Sequence, residues 1–130
     1  MKNTLFTITS FLGMLAVMLG AFGAHGLKPH LDTYQIAIYE KAVFYQFIHV
    51  LASLFALILY PTFNKRALLY ASLCFLIGIL FFSGSLYLLA IKDLLAIPTT
   101  FIGPITPIGG LFFIIGWGMI FATSLSNSKE

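Results

Sequence analysis

Three long stretches of the chain, residues 42–64, 67–91 and 94–128, contain no charged side chain, and a fourth apolar run covers residues 5–24. A helix needs about 20 apolar residues to cross the roughly 30 Å hydrocarbon core of a bilayer. Backbone N–H and C=O groups inside lipid must be satisfied within the chain, so such runs are read as helices. Composition agrees: 60% of residues are hydrophobic, 8% are charged and the mean hydropathy is +1.01, whereas soluble domains are about a quarter charged. With 130 residues the chain has room for four spans, short connections and no separate soluble domain. The sequence therefore predicts an all-α integral membrane protein, a single domain over residues 1–130, built as a four-transmembrane-helix bundle. The spans are expected at about 4–25, 42–61, 67–91 and 107–125. The run 94–128 is too long for one span and too short for two, but Pro98, Pro104 and Pro107 break its first third. A proline-broken apolar loop is expected there, before the fourth helix.

The first run resembles a secretory signal, but it exceeds the usual apolar core of about 7–15 residues. It also places Gly13, Ala16, Gly20 and Gly23 on one helical face. Small residues at that spacing let another helix approach closely, so the segment is read as a retained, packed span. Gly20 to Leu27 then forms a glycine-rich end around His25, and Lys28-Pro29-His30-Leu31 breaks the helix. Asp32 or Thr33 can cap the next helix, whose first turns carry Glu40 and Lys41 at the membrane interface.

The net charge of +3 does not point to nucleic acid, because the seven Lys and Arg are scattered with no basic motif. Lys2, Lys65, Arg66 and Lys129 fall on the side of the termini, against Lys28, Lys41 and Lys92 opposite. That bias leans toward both termini in the cytoplasm, in a plasma (inner) membrane. Cys74 is the single cysteine, forms no internal disulfide and is read as a small buried hydrophobe.

On the second helix Gln35, Tyr39, Ala42, Gln46, His49 and Ser53 recur at steps of four and three, making one polar or small stripe. Polar groups in hydrocarbon cost several kcal/mol unless partnered, so the other spans should pack around this stripe. Helix depths gather His25, Gln46, His49, Ser83, Ser85, Tyr87 and Thr106 in one leaflet and leave the other nearly pure hydrocarbon. Such a cluster is either interhelical glue or the floor of a cavity open to one face. His49, the imidazole deepest in a span, is expected to be neutral and bonded to Ser83, Ser85, Tyr87 or the backbone of residues 20–25, since no acid lies at its depth. Trp117 is too central for an interfacial anchor and reads as packing.

No histidine pair stands at metal-ligand helical spacing, so no metal is expected. No phosphate loop, nucleophile elbow or paired carboxylate appears, which leaves no catalytic constellation and no cofactor. The lipid bilayer is the expected environment, with a homo-oligomer or another membrane protein as partner.

Gly20-Ala-Phe-Gly-Ala-His-Gly-Leu27, Tyr45-Gln-Phe-Ile-His49, Phe82-Ser-Gly-Ser-Leu-Tyr87 and Gly103-Pro-Ile-Thr-Pro-Ile-Gly-Gly110 with Gly116-Trp117 together resemble one known family over nearly the whole chain. It is the family of YwdK/YgdD-like small membrane proteins, domain of unknown function 423, which includes transmembrane protein 256. The resemblance implies a four-span inner-membrane protein of no established reaction. Two function classes follow: a structural or partner-binding membrane subunit, or a small transporter, channel or ligand-binding bundle centred on His49.

Overall fold

Met1 leads directly into α1 (Lys2–Phe22), and the computed structural model describes residues 1–96 and 98–127. The glycine-rich end does not stop this helix: Gly23–Leu27 continues it as a π-helical turn and Lys28–His30 as a 3-10 turn. Leu31 then swings to extended geometry, and Asp32 opens α2 (Thr33–Phe63) with a full capping box. Its carboxylate accepts from the Gln35 amide N–H at 2.8 Å, while Gln35 Oε1 accepts from the Asp32 N–H at 3.0 Å. Two of the four orphan donors of the helix start are thereby satisfied. α2 ends at Asn64, which adopts the left-handed conformation at φ 50°, a state that asparagine tolerates better than most residues.

After the Lys65 turn, α3 (Arg66–Gly78), a π-helical turn (Ile79–Ser83) and α4 (Gly84–Ala90) form one continuous rod. Ser83-Gly84-Ser85 lies within this rod, where the coil widens locally to the π turn without breaking. The proline-broken loop contains α5 (Lys92–Leu95) and a 3-10 turn (Thr99–Phe101). α6 (Ile105–Asn127) closes the chain, with Pro104 just outside it and Pro107 in its first turn, where a missing N–H costs nothing.

Among the described residues, four helical segments are long and apolar enough to cross a membrane: Lys2–His30, Thr33–Phe63, Arg66–Ala90 and Ile105–Ser126. α2 packs against α1 on one side and the α3–α4 rod on the other, and α6 lies chiefly on α3 and its π turn. All six members of the α2 stripe, Gln35, Tyr39, Ala42, Gln46, His49 and Ser53, are buried. The core beside them is Val50, Ala52, Ala56, Ala71, Phe75, Ile79 and Phe113. Outward faces carry exposed Phe, Leu, Ile and Met, as lipid contact requires.

Small residues set the spacing of the bundle. On α1, Ala16 is fully buried, and a Cβ on Gly13 or Gly20 would stand 3.1 or 3.3 Å from Val50 or Val43. A Cβ on Gly23 would enter the Tyr39 ring. The closest approach to another segment's backbone is at Gly109, where a Cβ would collide with the Phe82 amide nitrogen and sit 2.8 Å from the Phe81 carbonyl carbon.

Candidate functional site

The polar groups of the bundle form three layers along α2. At the membrane face, Gln35 Nε2 donates to Asp93 Oδ2 at 2.6 Å and ties α2 to α5. One turn deeper, the Tyr39 hydroxyl donates to the Leu19 carbonyl at 2.8 Å and its ring meets Tyr87 edge-on at 5.1 Å.

Gln46 holds the second layer. Its amide donates to the Leu12 carbonyl at 2.9 Å and its carbonyl accepts from the Tyr87 hydroxyl at 2.8 Å, so one side chain links α1, α2 and α4. Beside it, Ser85 donates to the Phe82 carbonyl at 2.9 Å and lies 2.6 Å from the Thr106 hydroxyl. A serine has one proton to give, so Thr106 donates to Ser85. Ser83 differs: its fully buried hydroxyl, on the π turn, has no hydrogen-bond partner among the described residues.

His49 stands near the middle of α2, about 24 Å from its start at 1.5 Å per residue. It is bonded to none of the expected partners. The ring turns back instead, placing Nδ1 2.8 Å from the Tyr45 carbonyl one helical turn earlier, and Nε2 3.3 Å from the Trp117 indole N–H. Indole nitrogen can only donate, so Nε2 accepts and Nδ1 carries the proton to Tyr45, which fixes the tautomer of a neutral ring. Phe113 stacks on the imidazole at 3.4 Å between centroids and 6° between planes, and Phe75 approaches at 5.6 Å. The correction has a geometric cause. Ser83 and Ser85 belong to α4 and its π turn, whereas the ring points along α2 toward α6, where Trp117 waits.

The third layer was not expected. Thr9, Ser53 and Ser72 form a buried hydroxyl chain, 3.0 Å and 2.7 Å between oxygens, joining α1, α2 and α3. The half of the bundle toward the termini is therefore not pure hydrocarbon. Ser53 belongs to the stripe read from the sequence, but the single hydroxyls of Thr9 and Ser72 pass unnoticed because each can also bond its own backbone, and only packing brings the three together.

Of the sequence candidates, Gln46 and Tyr87 are joined directly, as are Ser85 and Thr106; His49 pairs with Trp117, and Ser83 is buried without a partner. His25 lies exposed on the π-helical end of α1, with no hydrogen bond to the others. Among the described residues no three His, Cys, Asp or Glu side chains converge as metal ligands. Trp117 was the missed member. A lone indole in a span reads equally as packing, and only its position opposite Nε2 gives it a role.

These groups are built largely from the motifs Gly20–Leu27, Tyr45–His49, Phe82–Tyr87 and Gly103–Gly110, and comparison with known proteins places them in a family. Residues 19–110 match a family model described as a protein of unknown function, DUF423. The chain belongs to the DUF423 family. A UPF0382 membrane protein of Staphylococcus saprophyticus is 45% identical over 107 residues, 82% of this chain and 84% of that protein. One from Haemophilus influenzae is 42% identical over 117 residues, 90% of each chain. YwdK of Bacillus subtilis, also named a UPF0382 membrane protein, is 36% identical over 108 residues, 82% of this chain and 84% of its own length. No solved structure matches. The DUF423 assignment and the four apolar helices together make this an integral membrane protein of unknown biochemical activity.

Proposed function

We propose that this DUF423 protein is a structural or partner-binding membrane subunit, whose polar side chains hold the bundle in one register. The observation that carries the reading is the near-complete pairing within the seam. Gln46, Tyr87, Ser85, Thr106, His49, Trp117, Thr9, Ser53 and Ser72 all bond protein groups, and among the described residues of the seam only Ser83 does not. A transport route would need polar groups facing an aqueous cavity. The groove that reaches His49 has a volume of about 490 Å³ and opens sideways between α2 and α6, past exposed Phe44, Ile48 and Ile114. That supports contact with lipid or a partner helix rather than passage of a hydrated solute.

The protein is placed by this reading in a plasma membrane with both termini cytoplasmic, supported by Lys2, Lys65 and Arg66 at that end of the helices. A second copy or another membrane protein is the partner class. Thiol accessibility tests the reading: in a Cys74→Ser background, Gln46→Cys and Ser85→Cys should resist a membrane-impermeant maleimide from both faces. Labelling of either from one face would instead favour the small transporter, channel or ligand-binding bundle.

A further inference from the structure

Where the glycine-rich end of α1 meets the first turns of α2, the surface holds a groove of about 370 Å³. Its floor is apolar, with Leu31, Ile36, Val43 and Phe44, and its lining also includes Lys28 and Glu40. Both charged side chains are exposed, and neither has an ion-pair or hydrogen-bond partner among the described residues. Glu40 and Lys41 are the last charges before the uncharged run 42–64, which sets this rim at headgroup depth. Phe44 also walls the larger groove that leads to His49 and Trp117. From Glu40 to His49 the helix descends about 13 Å, close to the depth of one leaflet's hydrocarbon.

An apolar channel that starts between one free cation and one free anion at the headgroup layer has the charge pattern of a particular ligand. We propose that this groove binds a zwitterionic phospholipid with a primary amine, phosphatidylethanolamine in type. Lys28 takes the phosphate and Glu40 the ammonium, while the acyl chains straddle the Phe44 ridge and one descends toward His49 and Trp117. An anionic glycerol headgroup could give the same phosphate to Lys28 but brings no ammonium to Glu40, whose carboxylate stays unpaired. A choline headgroup carries the same net charge but has no N–H to give the carboxylate.

Native mass spectrometry on the full-length protein in mild detergent tests this, with equimolar phosphatidylethanolamine, phosphatidylcholine and phosphatidylglycerol of identical acyl chains. Retention of the ethanolamine lipid should exceed each of the others about fivefold, the scale of one interfacial charge contact. Glu40→Gln should abolish its advantage over the choline lipid, and Lys28→Gln should lower retention of all three by about fivefold. Lys65→Gln, at the opposite end of the helices, should change nothing. A measurement on the unaltered protein stands beside these: brominated-chain phosphatidylethanolamine should quench Trp117 fluorescence more than the brominated choline lipid does. Equal retention of the three lipids, preference for the glycerol lipid, an undiminished preference in Glu40→Gln, or equal quenching overturns the proposal. So does a lipid-free dimer that retains none of them.

Discussion

Gly109 and Gly110 are neighbours on α6, yet the same substitution should have opposite consequences at the two. A Cβ at Gly109 would collide with the Phe82 nitrogen and lie 2.7 Å from Phe82 Cβ and 2.8 Å from the Phe81 carbonyl carbon, where carbon contacts ordinarily settle at about 3.5–4.0 Å. Two of those three atoms are backbone, so no rotamer change relieves the clash and α6 must move away from the π turn by roughly 1 Å. That movement loosens the wall of Phe113 and Trp117 around His49. Overpacking costs up to about 3 kcal/mol and sometimes more, while alanine returns about 1 kcal/mol of helix propensity. The net loss for Gly109→Ala is therefore about 2 kcal/mol or more. At Gly110 a Cβ would rest 3.7 Å from the Phe82 ring, an ordinary contact, so Gly110→Ala should be neutral or stabilising by up to about 1 kcal/mol. Reversible unfolding in mixed micelles, followed by the fluorescence of the single Trp117, measures both variants. Equal stabilities for the two would refute the close-approach argument, because propensity alone cannot separate adjacent positions.

Other substitutions probe the polar layers. Ser53→Ala removes the middle of the hydroxyl chain and should cost about 1–2 kcal/mol, more than Thr9→Val or Ser72→Ala, each of which leaves one hydrogen bond in place; a ranking with Ser53→Ala smallest would contradict the chain. Ser83→Ala should be neutral or slightly stabilising, since it deletes a buried hydroxyl without a partner, and a loss above about 1 kcal/mol in the same assay would mean the hydroxyl is bonded in solution. Nitrogen shifts of labelled His49 should report the Nδ1–H tautomer, with Trp117→Phe moving the Nε2 resonance; an Nε2–H tautomer would exclude the Trp117 bond. Asp93→Asn weakens the tie between α5 and Gln35 and should speed amide exchange in residues 92–95 while α2 stays protected, a pattern that uniform exchange would refute.

Membrane class, helix number and the buried face of α2 could all be read from the sequence. Each rests on a one-dimensional quantity: the length of a charge-free run, the position of prolines, or a recurrence at 3.6 residues. The Asp32 cap was equally legible, because a capping box is complete within four residues. Partner choice was not legible, since it depends on rotation of one helix against another. Depth alone put His49 level with Ser83 and Ser85, but depth leaves rotation free, and the ring faces α6 instead. The hydroxyl chain of Thr9, Ser53 and Ser72 spans 44 and 19 residues of sequence separation, and only Ser53, through the α2 stripe, carried a local signal. The π turn at Ile79–Ser83 was not legible either; there α6 packs against the Phe81–Phe82 backbone through Gly109. Hydrophobic length thus determined what enters the membrane, and the close approach of backbones across small residues decided which buried groups meet.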